Sequence, residues 1–333
     1  MKKVLTASRQ VWLVFGWMWN EHEVSINSAK NIVKNFDYKK YSLVLIYRDK
    51  DWNFYKVNDI SKLNKKTKID IQDFKKIFDI VLLMTHGKYG EDWILQSILE
   101  FQKIKYCWCR VLSSSLCMDK SVFKDFLSWY KIPQVKYQTI DISLDSKQSI
   151  NSKITEIKKS FKLPVYVKPS NSGSSVGITK VDSRNKLNKA INEASKHDRK
   201  IIVEKWLSNF REIEIAITWN KELIISNPWE LIKQNDFYSY DEKYELDNVN
   251  MQIPAKLTTK QINQVKIIAS KVYKLCDCAW FARIDFFLHK NKIYLNEINT
   301  LPGFTDISMF PMLMRNTWLT YKQLINKIIS LAF

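Results

Sequence analysis

The stretch VYVKPSNSGSSVGITK, residues 165–180, holds two of the six glycines in this chain of 333 residues. Proteins average about 7% glycine, so this chain is poor in it, and we expect its glycines where the backbone requires them. Gly173 and Gly177 lie four residues apart between two predicted strands. Glycine at such positions permits a tight turn and a close approach of the backbone to a ligand.

The polar residues of the same stretch indicate what that ligand could be. Backbone N–H groups, with Ser174 and Ser175, could surround phosphate oxygens, and Lys168 at the end of the first strand supplies a positive charge. The motif is not a P-loop, because the lysine precedes the glycines instead of following them. A glycine–serine loop is more often an ordinary hairpin turn, so the rest of the chain has to decide between the two interpretations.

A second stretch, residues 282–308, combines apolar strands with three oxygen-bearing side chains. Glu297 and Asn299 are two residues apart on a predicted strand and point to the same face, and Asp285 on the neighbouring strand could join them. Oxygen ligands together with phosphates are the usual way to hold Mg²⁺. The alternative is a solvated strand face, but these strands are otherwise apolar, and a carboxylate among apolar residues needs a partner.

The first hundred residues alternate between two kinds of element. Strands are predicted over 11–16, 41–47 and 78–86, and helices over about 25–35 and 91–101. This alternation predicts a parallel sheet. Ligands of such sheets collect at the carboxyl ends of the strands, and the two most polar loops of this region, NEHEVS and HGKYGED, both follow strands.

The pattern changes after about residue 110. A helix is predicted over 117–130 and strands over 199–207 and 211–218, while 281–288 and 292–300 are predicted as paired antiparallel strands. The glycines of the whole chain all fall in polar loops at strand ends: Gly16, Gly87, Gly90, Gly173, Gly177 and Gly303.

The composition limits the class of partner. The formal net charge is +19, for which a polyanion partner is one interpretation. The lysines are spread over every segment, however, without the clustered basic stripe and interleaved aromatic residues of a nucleic-acid binder. No apolar run approaches the ~18 residues of a membrane span, and the run near the start is predicted as a buried strand because no signal-peptide cleavage site follows it. We therefore expect neither a nucleic-acid nor a membrane partner.

The cysteines indicate the redox setting. Five cysteines, four of them in two C-x-C pairs, fit a reducing cytoplasm better than a disulfide framework. The paired cysteines could hold zinc, but their spacing is not the C-x₂-C of zinc ribbons. The five are Cys107, Cys109, Cys117, Cys276 and Cys278.

Together these stretches resemble the D-alanine–D-alanine ligase family of the ATP-grasp superfamily. Each matching segment is weak alone, but nine in the family's order, spanning nearly the whole chain, are specific. The segments are EHEVS (21–25), HGKYGED (86–92), LCMDK (116–120), VKPSNSGSSVGITKV (167–181), EKWL (204–207), REIEIAI (211–217), YDEKY (240–244), ARIDFF (282–287) and NEINTLPGFTDIS (296–308).

The resemblance implies an α/β, ATP-grasp fold of three α/β domains. These would be a parallel-sheet substrate domain over 1–110, a central ATP-grasp lid with the glycine loop over 111–203, and a catalytic, metal-binding domain over 204–333. It further implies an ATP-dependent ligase that joins two D-alanines through an acyl phosphate for peptidoglycan precursors. The enzyme would act in the cytoplasm as a homodimer.

The resemblance also implies the residues that bind ATP and metal. Lys168 would lie beneath the glycine loop and contact the ATP phosphates. The full set of ATP-binding residues would be Lys120, Lys168, Ser175, Glu204, Leu207 and Glu212. Two Mg²⁺ ions, which Mn²⁺ could replace, would be held by Asp285, Glu297 and Asn299.

The substrate end is implied in the same way. Glu21 would receive the ammonium group of the first D-alanine, and His86 would lie near its carboxylate. Arg283 and the Gly303 N–H would stabilise the oxyanion of the tetrahedral intermediate. Ser308 would bind the carboxylate of the second D-alanine.

A mobile loop would close over this site. Ser174 and Tyr244 would link to Glu21 across the closed site, and Lys243 would lie on the loop that excludes water. Residues around Ser308, Met309 and Tyr244 would distinguish a sibling ligase with another second substrate, although the tyrosine matches dipeptide-forming members. A catalytically silent nucleotide-binding module is the third candidate, and it would lack the arginine or a metal ligand, none of which is missing.

The tryptophans depart from the family pattern. The chain has twelve tryptophans against six glycines, and several stand where the family has glycine: Trp17, Trp93, Trp108, Trp219, Trp229, Trp280 and Trp318, with Trp52 as a further candidate. One hypothesis is that UGA codons, which some bacterial lineages read as glycine, were translated as tryptophan. The alternative is a divergent enzyme whose structure accommodates the larger side chains.

Overall fold

The first sheet lies in the N-terminal third of the chain. The computed structural model describes residues 9–16, 21–64, 66–173, 176–218, 222–232 and 250–332. The sheet's strands are β1 (Arg9–Gly16), β2 (Tyr41–Arg48), β3 (Phe54–Val57), β4 (Lys66–Ile69), β5 (Ile80–Met84) and β6 (Lys105–Cys107). Their order is β4-β3-β2-β1-β5-β6, and β2, β1, β5 and β6 run parallel. The helices are α1 (His22–Asn35), α2 (Phe74–Ile77) and α3 (Ile94–Phe101). The predicted parallel sheet is confirmed.

The second sheet carries the glycine-rich stretch. It contains β7 (Tyr137–Asp141), β8 (Val165–Pro169), β9 (Thr179–Val181) and β10 (Lys200–Lys205), in the antiparallel order β7-β10-β8-β9. The neighbouring helices are α4 (Val111–Met118), α5 (Lys120–Trp129), α6 (Lys147–Ser160) and α7 (Leu187–Ser195). The domain boundary expected after residue 203 falls inside β10.

The third sheet is antiparallel and carries the acidic residues. Its strands are β11 (Arg211–Thr218), β12 (Ile224–Ile225), β13 (Trp229–Ile232), β14 (Asn250–Gln252), β15 (Phe281–His289) and β16 (Lys292–Asn299). The pair of β15 and β16 is confirmed, and a two-residue turn joins them with φ values of 47° at Lys290 and 63° at Asn291, as tight hairpins require. The last helices are α8 (Thr259–Leu275), α9 (Met309–Arg315) and α10 (Tyr321–Ser330).

The helix predicted over about 117–130 is confirmed as α5, which begins at Lys120, and α4 before it was not predicted. Two helices, α4 and α5, meet at Asp119, whose backbone is extended with ψ of 97°. The Asp119 carboxylate accepts hydrogen bonds from the N–H groups of Ser121 and Val122, which caps the start of α5. An aspartate before an apolar helical run is a start signal for a helix, and it sets the start of α5 at Lys120 instead of at residue 117.

Three hydrophobic cores hold the sheets. The helices α9 and α10 return to the first sheet and share its core, although they follow the third sheet in the chain. The side chain of Asn31 on α1 donates to the Phe304 carbonyl, which fixes the loop before α9 against the first sheet. This return brings the carboxyl ends of β1 and β5 close to residues 301–309. None of the helices in the described part of the chain has the length and apolarity for a membrane span.

Four of the tryptophans adopt the backbone conformation that favours glycine. Their φ values are 66° at Trp52, 140° at Trp93, 58° at Trp280 and 72° at Trp318. A left-handed backbone costs an L-residue about 1–2 kcal/mol, so these positions fit the hypothesis that glycine stands there.

Two other tryptophans that stand where the family has glycine carry a different energetic cost. Trp108 and Trp229 are completely buried, and within the described residues the ring N–H of each has no hydrogen-bond partner. Burying an unsatisfied donor costs about 1–3 kcal/mol. Trp17 and Trp219 lie outside the described residues.

We expect Trp93→Gly and Trp318→Gly each to raise the free energy of unfolding by about 1–2 kcal/mol, because glycine removes the cost of a left-handed backbone. Trp318 is 94% exposed, so its removal sacrifices little packing. Urea unfolding of the purified variants would measure the change.

The matched control is Trp129→Gly. Trp129 is 85% exposed, ends α5 and is not among the residues with positive φ. Glycine in a helix is unfavourable, so this variant should lose stability. Equal effects at all three positions would contradict the backbone explanation, and UGG codons in the gene would exclude the misreading hypothesis.

Candidate active site

The carboxylate of Glu21 lies between two glycine-bearing loops. A Cβ atom at Gly87 would come within 1.8 Å of Glu21 Oε2, and one at Gly173 within 3.6 Å of Oε1. Gly87 also has a φ of +84°, so both space and backbone conformation require glycine there. The loop after β5 and the glycine loop after β8 therefore enclose one carboxylate, which can receive a cationic group.

A second carboxylate, missed by sequence reasoning, shares this end of the site. Glu91 lines the same cavity as Glu21. Burial raises the pKa of Glu91 well above its usual value, and the negative charge of Glu21 raises it further. Its place in the polar loop HGKYGED was the available signal. A ligand with an ammonium group would relieve the repulsion between the two carboxylates.

The hydrogen bonds of His86 define its protonation. Its Nδ1 is 3.3 Å from the Leu301 carbonyl oxygen, which can only accept, so Nδ1 carries the hydrogen. Its Nε2 is 3.0 Å from Ser28 Oγ and accepts from that hydroxyl. Burial lowers the pKa of His86 from 6.5 to about 4. The ring is therefore neutral at pH 7 and joins β5 and α1 to the loop before α9.

We expect acid to destabilise the protein through His86. Above pH 6.5 the ring is neutral in both folded and unfolded chains, whereas between pH 6.5 and 4 only the unfolded chain binds the proton. The shift in pKa from 6.5 to about 4 corresponds to about 3 kcal/mol of stability lost as the pH falls through that window.

Urea unfolding at pH 7.5 and pH 4.5 would measure this loss, and His86→Gln should reduce the difference between the two pH values. A pH dependence unchanged by the substitution would show that other groups cause it.

The Arg283 guanidinium contacts two carboxylates. Its Nε and Nη2 donate to the two oxygens of Asp285 at 2.8 and 2.7 Å, and Nε lies 3.3 Å from Glu214 Oε2. Burial would lower the pKa of Arg283, but the charges of Asp285 and Glu214 outweigh it and raise the pKa. Two carboxylates therefore hold the guanidinium charged and oriented. Glu214 was not predicted, although it alternates with Glu212 on β11.

The three predicted metal ligands share one face of the third sheet. Asp285 pairs directly with Glu297 across β15 and β16, and Asn299 Nδ2 donates to Asp285 Oδ2 at 2.9 Å. These hard oxygen donors fit Mg²⁺ in type. Within the described ranges no cluster of three or more His, Cys, Asp or Glu side chains could hold a metal alone, so an ion here would need oxygens from the nucleotide as well. The same finding gives no support to a zinc site, and the five cysteines are free thiols.

The two predicted phosphate lysines face this acidic group. Lys120 Nζ donates to the Ser172 carbonyl at 2.6 Å and lies 3.8 Å from Glu297 Oε2. Lys168 Nζ donates to Glu204 Oε2 at 2.5 Å. The Glu204 side chain therefore points to the lysine. A further lysine, Lys124, pairs with the other oxygen of Glu204, and sequence reasoning missed it.

An aromatic wall lines the side of the cavity nearest β10. Trp206 packs edge-on against Tyr166 and Phe210, with ring centroids 5.0 and 5.2 Å apart, and Phe210 packs against Phe287 at 4.6 Å. Leu207 lies beside them, and the Glu212 carboxylate follows at the start of β11. Flat apolar walls next to polar hinge groups suit a nucleotide base.

The loop before α9 closes the opposite side. A Cβ atom at Gly303 would lie 2.8 Å from Ser308 Oγ, so any larger residue would push against that hydroxyl. Ser308 Oγ accepts from the Thr305 N–H at 2.9 Å, and Met309 follows as the first residue of α9. This arrangement places a backbone segment and a hydroxyl at the substrate end.

One cavity of about 510 Å³ brings these groups together. It is lined by every predicted site residue within the described ranges: Glu21, His86, Lys120, Lys168, Glu204, Leu207, Glu212, Arg283, Asp285, Glu297, Asn299, Gly303, Ser308 and Met309. The other predicted residues, Ser174, Ser175, Lys243 and Tyr244, lie outside the described residues. Individual roles within the cavity stay predictions.

A cavity with Lys168 on the antiparallel second sheet, Lys120 at the start of α5 and acidic residues on the third sheet is typical of an ATP-grasp protein. Two family models match the chain, "D-ala D-ala ligase N-terminus" over residues 10–109 and "D-ala D-ala ligase C-terminus" over residues 126–330. The chain therefore belongs to the D-alanine–D-alanine ligase family.

Individual relatives match this chain over nearly its whole length. The chain is 40% identical to the D-alanine–D-alanine ligase of Caldicellulosiruptor bescii, over 97% of this chain and 94% of the relative. It is 38% identical to that of Clostridium acetobutylicum, over 97% and 98%. Among solved structures, the VanG D-Ala:D-Ser ligase of Enterococcus faecalis has a TM-score of 0.88 at 29% identity, covering 98% of this chain and 100% of that one.

Proposed function

We propose that this protein is an ATP-dependent ligase that joins two D-alanines into D-alanyl-D-alanine for peptidoglycan precursors. The observation that carries the proposal is the polarity of this cavity. Glu21 and Glu91 line it and suit an amino acid's ammonium group, and Lys120 and Lys168 line it and suit phosphates, with Lys120 Nζ 3.8 Å from Glu297 Oε2. The ligation reaction itself is inferred from membership of the family.

The first step joins the amino acid to phosphate. A carboxylate oxygen of the first D-alanine attacks the γ-phosphorus of ATP, and ADP leaves, which gives an acyl phosphate. Lys120 and Lys168 would balance the charge on the phosphates. Asp285, Glu297 and Asn299 would hold Mg²⁺, which supplies further charge stabilisation of the phosphate oxygens when bound.

The second step forms the peptide bond. The amine of the second D-alanine attacks the acyl carbon, loses a proton, and inorganic phosphate leaves. Negative charge develops on the carbonyl oxygen, and Arg283 with the Gly303 N–H would stabilise it. Because Asp285 and Glu214 hold the guanidinium in place, little reorganisation is required as the charge appears.

Water would destroy the acyl phosphate, so enclosure is part of the function. The closeness of Glu21 to the glycine loop after β8 supports such an enclosure. We further propose the three domains set out from the sequence, a homodimeric state and a cytoplasmic location, where D-alanine and ATP are both available. Light scattering after gel filtration would measure the oligomeric state.

A sibling ligase is the second candidate, because the VanG D-Ala:D-Ser ligase covers 98% of this chain with a TM-score of 0.88. The relatives of 38–40% identity are D-alanine–D-alanine ligases, which favours D-alanine as the second substrate.

We expect phosphate release from ATP with Mg²⁺ and D-alanine, and none with L-alanine or without an amino acid. Mass spectrometry of the products should show the dipeptide. With D-serine added to D-alanine, a mixed product in excess over D-alanyl-D-alanine would identify the sibling ligase. A folded protein that binds ATP but releases no phosphate would be the silent module.

We expect Glu21→Gln to raise KM for the first D-alanine by about tenfold or more while KM for ATP changes little, because a neutral amide loses the charge-assisted contact to the ammonium group. Steady-state kinetics with each substrate varied in turn would measure both values. Glu23→Gln is the control, since Glu23 also lines the cavity and its side chain is 77% exposed. Equal losses in the two variants would contradict a specific role for Glu21.

A further inference from the structure

One buried carboxylate holds two lysines near the phosphate end of the cavity. Glu204 Oε2 accepts from Lys168 Nζ at 2.5 Å, and Glu204 Oε1 lies 2.8 Å from Lys124 Nζ. All three side chains are enclosed, with exposures of 6% for Glu204, 13% for Lys168 and 2% for Lys124. This cluster joins α5 to the adjacent strands β8 and β10.

The two lysines differ in what they can touch. Lys168 lines the cavity, whereas Lys124 is not among the described residues that line it. Lys124 lies behind Glu204 on α5, with its ammonium group 5.5 Å from the ring centroid of Tyr137. A ligand in the cavity would therefore meet Lys168 and would reach Lys124 only through Glu204.

The charges in the cluster explain why a second lysine is useful. Lys168 and Glu204 alone form a neutral pair, and a phosphate would compete with the carboxylate for the ammonium group. Adding Lys124 leaves one net positive charge inside the enclosed cluster. Burial would raise the pKa of Glu204, but Lys124 and Lys168 outweigh it and lower the pKa, so the carboxylate stays ionised and available to both.

The start of α5 is also fixed relative to β8. The Lys120 N–H donates to the Ser170 carbonyl at 3.1 Å, and Ser170 Oγ donates to Asp119 at 2.6 Å. The Lys200 ammonium pairs with the same aspartate. Lys124 therefore projects from a helix whose position relative to the glycine loop is set at its first turn.

We propose that Lys124 is a positioning residue for ATP: it binds one oxygen of Glu204 so that the other oxygen orients Lys168 toward the phosphates while the cluster keeps a net positive charge. The inference deepens the proposed function, since it assumes that ATP phosphates bind beside Lys168. It assigns Lys124 no contact with substrate.

The test is a set of four variants: Lys124→Met, Glu204→Gln, the double variant Lys124→Met/Glu204→Gln, and Lys153→Met as control. Lys153 belongs to the same region but pairs with Asp145 at 29% side-chain exposure. Methionine keeps the length and apolar volume of the lysine stem, so the change removes charge with little change in packing. ATP affinity is measured by calorimetry, and KM for ATP and for D-alanine by phosphate release.

We expect Lys124→Met to weaken ATP binding and raise KM for ATP by about tenfold or more, with KM for D-alanine within about twofold of its original value. The double variant should bind ATP more tightly than Lys124→Met, because the neutral amide no longer competes with phosphate for Lys168. Lys153→Met should leave both KM values unchanged. Thermal unfolding without nucleotide identifies any variant that fails to fold.

Two results would overturn the inference. One is an unchanged affinity for ATP in folded Lys124→Met. The other is a double variant that binds ATP no better than the single one, which is the result expected of a lysine that only fills space. If the original protein binds ATP but releases no phosphate with D-alanine, the proposed function fails, and the calorimetric comparison still tests Lys124.

Discussion

The pairing of charges buried where the second and third sheets meet is the constraint on which the rest of the structure depends. An isolated charge in a protein interior is costly, and removing one partner of a buried pair exposes that cost. Here Lys124 and Lys168 contact Glu204, and Arg283 contacts Asp285 on its own strand and Glu214 on β11. The pairs therefore fix α5 against β10 and β15 against β11, and they leave a cavity lined by groups that already suit a phosphate ligand on one side and a metal ion on the other.

The substrate end satisfies the same constraint differently. Glu21 and Glu91 line one cavity, and burial together with the negative charge of Glu21 raises the pKa of Glu91. The glycine loops solve the packing problem around Glu21, since a side chain at Gly87 would overlap its carboxylate. An amino acid's ammonium group would compensate the charge. The cavity thus offers lysines that suit phosphates and a carboxylate that suits an amino group.

Local sequence rules account for most of the fold and for part of the site. Period-two and apolar runs predicted β1, β2, β11, β15 and β16, because burial alone specifies those strands. The side chains on them, such as Asp285 and Glu297, could be placed on one face from spacing. Lys124 could not be found, because its significance comes from Glu204, a partner far away in the chain. Glu91 in its polar loop and Glu214 beside Glu212 on β11 carried a local signal that was not used. The start of α5 was predicted at residue 117 instead of Lys120, because the capping interaction of Asp119 separates α4 from α5 within one apolar run.

The unusual tryptophans bear on stability more than on chemistry. Trp52, Trp93, Trp108, Trp229, Trp280 and Trp318 are all absent from the described lining of the cavity, whereas the family-like Trp206 forms part of it. Four of those six carry the backbone strain of a left-handed conformation, and the two others bury a ring N–H without a partner. These costs act on folding, while the lysines, carboxylates and guanidinium of the site keep their contacts. The cavity lining within the described residues therefore contains none of those six positions, whether they hold tryptophan or glycine. Trp17 and Trp219 lie outside the described residues.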